Sequence, residues 1–419
     1  MAIYRQGRQA AKTHDYKKAI EYYSQGLAFD DTPPLFRARL LEYRGESHWL
    51  LCNFDKACRD YDEALTTCED PEQLARIRIR LSEVANFQGE YQRSHALCQQ
   101  ALEEGIAANS VVVTAWARHG LGITLCQQGN TEQSLTYLTQ ALAAFRTMGE
   151  AREQARILTS IGRTHLVRGE FQRSLQMYQE ALHIFRSLND RWRVVETLSD
   201  IGNCHQGLYD VENSVNFHER ALKLAQEQRV RLFLPKIECG LGVALIAQGQ
   251  IESGVAYLLR ALVGAKQLDA REQEVMSLYH LTQTYMHQLD DANLASHYAA
   301  SLADVTDQLK AERLCALTAF VYGELAVVKG ERETAVSYLN KAMVCAQTAV
   351  DRSILWQLHA TMSRIIDNPD IAAVHLNIAA EFIRQTVAPL QDPHLKNSFI
   401  QAPAVANILA AAGVDASSL

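Results

Sequence analysis

The chain has 419 residues, with 41 Lys and Arg against 48 Asp and Glu, and a formal net charge of −7. No basic run exists, which argues against nucleic acid as the main partner, and no stretch approaches the ~18 consecutive apolar residues of a membrane span. The opening MAIYRQGRQAAK lacks the apolar core of a signal peptide, and nine cysteines scattered through helix-like stretches point to reduced thiols in a cytoplasmic protein.

Residues 1–29 read as a first pair of helices whose opening helix is short and uncapped. Two readings stay open: a start codon that lies there, or a module cut from a longer protein. Residues 33–68 form a second pair, opened by Pro33-Pro34 where a missing N–H costs nothing. Asp70-Pro71 opens the third pair, 71–105, in the same way. Pairs four to seven, 111–266, are the most regular. Pair eight, 270–306, replaces its turn glycine with QLDDAN, pair nine spans 310–347, and pair ten spans 351–386 with Asn368-Pro369 in its turn. Residues 387–419 differ. Pro393 and Pro403 mark two short helix starts, Gly413 a stop, and Val405, Ile408 and Leu409 one short apolar face, as expected of a cap on the last repeat.

The register is clearest in residues 155–187. Leu158, Ile161, His165 and Leu166 share one helical face, Gly169 stops that helix, and Leu175, Tyr178, Ala181 and Leu182 share a face of the next. The turn marker recurs at Gly89, Gly129, Gly169, Tyr209, Gly249 and Leu289, a step of 40 residues (129−89, 169−129). Upstream it falls at His14 and Cys52, downstream at Gly330 and Asp367. Self-similarity at a fixed period over most of a chain is the signature of a solenoid.

This pattern resembles the tetratricopeptide repeat. The small residue of the first helix is present at Gly7, Gly45, Gly122, Gly162, Gly202, Gly242 and Gly323. The aromatic of the second helix is present at Tyr23, Tyr61, Tyr178 and Tyr298, with neighbouring aromatics at Tyr137, Phe217 and Tyr338. The departures are a period of 40 instead of roughly 34, and Leu158, Leu198 and Leu278 where the family places a bulkier residue. Long repeats of this kind are similar to those of bacterial signalling ATPases, transcription activators and spindle-orientation adaptors. The resemblance implies an all-α, right-handed α-solenoid of about ten helix pairs over residues 1–386, with 387–419 as a short capping tail.

No GxxxxGK, GxGxxG, HExxH or CxxC occurs, so no catalytic site, metal or cofactor is expected. Cys204 and His205 are adjacent, point about 100° apart on a helix, and read as a core thiol and a packed imidazole. What remains is a surface. By analogy with the family, the first helices line an inner wall. Its polar middle offers Trp116, His119, Arg156, Arg163, Asn203 and Gln206, and its apolar end offers Met276, Tyr279, Gln283, Met286 and Phe320. Asn203 matches the asparagine with which long-repeat adaptors grip a peptide backbone. The expectation is a non-enzymatic scaffold or sensor that holds a protein or peptide segment in its groove. The alternative is the effector-sensing module of a larger signalling ATPase, kinase or cyclase, whose groove meets a ligand or the protein's own missing N-terminal domains.

Overall fold

The computed structural model describes residues 2–349, 351–416 and 419; Met1, Val350, Ser417 and Ser418 lie outside the described residues. Among the described residues every regular element is a helix. They fall into two compact units. One comprises the chain up to Thr124 with Thr136–Glu150, the other Leu125–Leu135 with the chain from Ala151.

In the first unit α1 (Ala2–Lys12) packs on α2 (Tyr16–Leu27), α3 (Pro34–Leu50) on α4 (Phe54–Thr67), and α5 (Pro71–Phe87) on α6 (Tyr91–Ala107). The next pair, α7 (Val111–Gln128) and α8 (Thr131–Met148), contributes residues to both units. The second unit continues with α9 (Ala151–Val167) and α10 (Phe171–Ser187), then α11 (Arg191–Gly207) and α12 (Val211–Glu227). Next come α13 (Leu234–Ala247) with α14 (Ile251–Gln267) and α15 (Arg271–His287) with α16 (Ala292–Leu309). The last pairs are α17 (Glu312–Val328) with α18 (Arg332–Ala349) and α19 (Arg352–Ile365) with α20 (Pro369–Val387). Two short helices, α21 (Pro393–Gln401) and α22 (Pro403–Ala411), follow and pack on each other and on α20. Within the second unit each second helix also meets the next first helix, and successive first helices touch one another, so they form the inner layer.

The small and large residues of the repeat explain why each pair is so close. A Cβ on Gly7, Gly45 or Gly162 would come within 2.4, 2.6 or 2.8 Å of the rings of Tyr23, Tyr61 and Tyr178. All three rings are buried, so glycine is required there for approach, not for backbone freedom. In α12 the residue in that place is His218, 2.7 Å from where a Gly202 Cβ would stand. The neighbouring Phe217 stacks on His205 at 5.2 Å. Leu138 and Leu339 likewise fill that place beside Tyr137 and Tyr338, being wholly buried. Tyr298 is half-buried and stacks on Tyr285 at 5.4 Å.

The turn marker holds at His14, Cys52, Gly89, Gly129, Gly169, Tyr209, Gly249 and Gly330, all left-handed. In pair eight the left-handed residue is Asp290, one beyond Leu289, because the turn is one residue longer. Pair ten has no such residue at Asp367; there Asn368 caps α20 by accepting from the Asp370 and Ile371 amides. A second left-handed series, at Asn109, Gly149, Asn189, Arg229 and Asp269, then Lys310, separates one pair from the next. Its step is again 40 residues (149−109). From the third pair to the eighth, a left-handed stop after each helix fixes the register.

Candidate functional site: a chamber in the second unit

The second unit closes on itself. Gln127 Nε2 donates to Glu272 Oε2 at 2.7 Å, and Gly129 lies against Ala349. Farther along, the Gln391 amide donates to Gln172 Oε1 at 3.1 Å. His394 Nε2 lies 3.4 Å from Asp210 Oδ2, and the ring of Phe399 sits 5.9 Å from that of Tyr209. These contacts tie the ends of the turns of the fourth to sixth pairs to pairs eight and nine and to the tail. They border a partly open cavity of about 510 Å³.

First helices supply most of its wall: Arg163 from α9, Asn203 and Gln206 from α11, Lys236 from α13, Met276, Tyr279 and Gln283 from α15, and Arg313 from α17. Phe171, Tyr209, Trp356 and Phe399 add aromatic surface. Tyr209 holds its position at φ 56°, a conformation that costs a residue with a Cβ roughly 1–2 kcal/mol. Four sister turns of this unit use glycine there: Gly129, Gly169, Gly249 and Gly330.

The charged groups of the wall are paired among themselves. Arg163 Nη2 lies 3.2 Å from Glu196 Oε1 and 3.8 Å from Asp200 Oδ2. Lys236 also holds Asp200, and Arg193 holds Glu196 at 2.8 Å. Burial alone would raise the Glu196 carboxyl, but Arg193 and Arg163 outweigh it and bring its pKa down to about 2. Arg313 Nη1 meets Glu272 Oε1 at 2.9 Å, and against the effect of burial the Glu272 pKa is lowered. Asp351 is raised by burial despite Arg313 and its bonds from Ser353. His280 is pushed down to about 4 by burial, so it is neutral at pH 7.

Three polar side chains on this wall have no such match. The half-buried Asn203 makes no side-chain hydrogen bond within the described residues, and Gln206 Oε1 and Ser214 Oγ are buried without a partner. Buried polar atoms left unpaired are uncommon, because each forfeits its hydration without a replacement.

Of the expected wall residues, Arg163, Asn203, Gln206, Met276, Tyr279 and Gln283 come together here. Gln283 is already committed, donating to Glu324 at 2.6 Å. The others lie elsewhere. Arg156 pairs with Glu153 at 3.3 Å on its own helix, and Met286 and Phe320 are 4% and 2% exposed, inside the helix packing. Trp116 and His119 belong to the first unit, where Trp116 packs on Phe145 at 5.2 Å. The sequence reading missed Phe171, Lys236, Glu272, Arg313 and the tail's Phe399. The one signal that could have found the tail contact is Tyr209, an aromatic at a marker position that its neighbours give to glycine.

A wall of first helices on an all-α array of 40-residue helix pairs defines an α-solenoid of tetratricopeptide-like repeats. Residues 113–187 match the model of the tetratricopeptide repeat family. The regulatory protein AfsR of Streptomyces griseus is 31% identical over 122 residues, which are 29% of this chain; the chain spans 12% of that relative's length. Among solved structures, a Rap protein complexed with Competence and Sporulation Factor superposes with a TM-score of 0.64 at 13% identity, covering 83% of this chain and 97% of that one. NprR in complex with its cognate peptide NprX gives 0.60 at 14% identity, covering 83% and 98%. At these identities the structural likeness is one of fold. No helix among the described residues is long and apolar enough to cross a membrane.

Proposed function

We propose that this chain is a regulatory binding module that receives a segment of a partner polypeptide in the chamber of its second unit. The observation that carries the reading is the pair of buried polar atoms without a partner, Gln206 Oε1 and Ser214 Oγ, on a wall that also carries the half-buried Asn203. A peptide backbone offers the alternating N–H and C=O groups that such side chains lack. Tyr279, Met276 and Trp356 supply the apolar area that gives contact its energy. NprR, which shares the fold, is solved in complex with a cognate peptide, and that agrees with this use of the array. The Arg163 cluster, held by its own acids, stiffens the wall.

The match to AfsR favours a second reading of the same chamber: the sensing part of a larger regulatory protein. The two differ in the occupant's origin, another molecule or another part of the same polypeptide. The test is calorimetric titration of a segment recovered with the chain from native lysate and identified by mass spectrometry. Asn203→Ala and Tyr279→Ala should each weaken it, the latter by roughly 2 kcal/mol if the ring is a hot spot. Parent-like affinity in both variants moves the site off this chamber.

A further inference from the structure

We infer that the chamber takes a short, uncharged, amide-bearing ligand, of the bulk of a peptide of two to four residues with no free charge inside. This rests on the reading of the chamber as the binding site and adds its ligand class.

Size is the first argument. A volume of about 510 Å³ falls in the range of pockets that take a small molecule and suits a few residues of extended chain. The contact between Tyr209 and the tail's Phe399 forms part of its wall.

Charge is the second. Arg163, Lys236 and Arg313 stand against Asp200, Glu272 and Asp351 in the lining, three cations to three anions. A carboxylate brought in by the ligand would lose its water and find no cation that is not already engaged, and an ammonium would find only Asp351, whose carboxyl accepts from Ser353 and is raised by burial.

Hydrogen bonding is the third, and it points to amides. Asn203 and Gln206 lie one turn apart on α11 and face the cavity. Gln206 Oε1 needs a donor, Asn203 can both give and accept, and the fully buried Ser214 Oγ can do either. A secondary amide offers one donor and one acceptor. A purely hydrocarbon ligand would leave all three groups as they are.

The experiment uses the full chain and two mixtures of tripeptides built from Ala, Val, Leu, Phe and Ser. One is acetylated and amidated, the other has free ends. Ultrafiltration followed by mass spectrometry reads retention, and thermal melting reads stabilisation. Blocked tripeptides should be retained and raise the melting temperature, and their free-ended forms should bind at least about tenfold more weakly. Gln206→Ala and Ser214→Ala should each cut retention about tenfold with the unliganded melting temperature unchanged. Equal or stronger retention of free-ended peptides overturns the inference. If neither mixture is retained while a long partner segment binds and is lost in Tyr279→Ala, the ligand class is wrong and the binding-module reading stands. If neither mixture is retained and no segment binds, both are refuted.

Discussion

Replacing Phe399 by Ala should unlatch the chamber. The ring is 1% exposed and lines the cavity, and it meets Tyr209 across the closure. Removing a buried Phe side chain costs roughly 3–5 kcal/mol. Besides its packing on α20, the tail's other ties across the closure are slight: one bond from the Gln391 amide to the Gln172 side chain and the contact of a 64%-exposed His394 with Asp210. Most of the loss should therefore appear as easier opening of the tail and leave the repeats intact. At the lower figure the open population rises about a hundredfold, since 1.4 kcal/mol is a factor of ten. Cys239 provides the assay. It lines the cavity, is 6% exposed, and burial pushes its thiol up to about 12. Its labelling by a small maleimide, located by peptide mapping, should accelerate at least about tenfold in Phe399→Ala. Cys98, wholly buried in the first unit, is the control for general loosening. Tyr209→Gly separates latch from stability: it relieves the left-handed backbone yet removes the ring, so Cys239 should react faster in a protein no less stable. Rates within twofold of the parent in both variants would refute the latch.

Gly162→Ala should destabilise by roughly 1–3 kcal/mol, because its Cβ would stand 2.8 Å from the buried Tyr178 ring; a urea melt showing less than about 0.5 kcal/mol would mean that the helices have room to part. His218 is pushed down to about 3 by burial, with Lys236 and His205 adding to it. Its folded pKa lies below the unfolded value of about 6.5, so the unfolded chain binds the extra proton, and stability present above pH 6.5 is lost progressively from there toward pH 3. His218→Phe should flatten the melting temperature over that window, and an unchanged slope would assign it to other groups. Cys345 Sγ lies 3.3 Å from Cys315 Sγ, so mild diamide oxidation should join these two before any other pair of the nine thiols. Non-reducing peptide maps that show a different first pair would contradict this geometry.

The array was legible because its determinants are local. A glycine and an aromatic sixteen residues on meet within one pair across a turn, and repetition at 40 residues makes each legible from its copies. At Phe217, Tyr137 and Tyr338 the aromatic only neighbours the residue that packs. His218, Leu138 and Leu339 carry no aromatic signal of their own. Half of the site was legible for the same reason: Arg163, Asn203, Gln206, Met276, Tyr279 and Gln283 share a face set by helical period. The rest was not. Met286 and Phe320 follow the same spacing, but neighbouring helices cover them, and coverage is a property of the stack. The ends of the closure, such as Gln172 and Gln391, are 219 residues apart, and no periodicity relates them.

That closure alters how the second unit can come apart. An open repeat array behaves as a chain of nearest-neighbour steps and frays from its ends. Here the C-terminal helices are pinned to a turn laid down more than 180 residues earlier, so fraying there must first break contacts with the middle of the array. The same contacts form late, since joining segments so distant in sequence is entropically slow and follows the stacking of everything between them. The unit should accordingly assemble by local propagation and then gain a final, concerted increment of protection when the tail docks. Amide exchange in α9 to α11 would register that increment, although the tail touches only their turns.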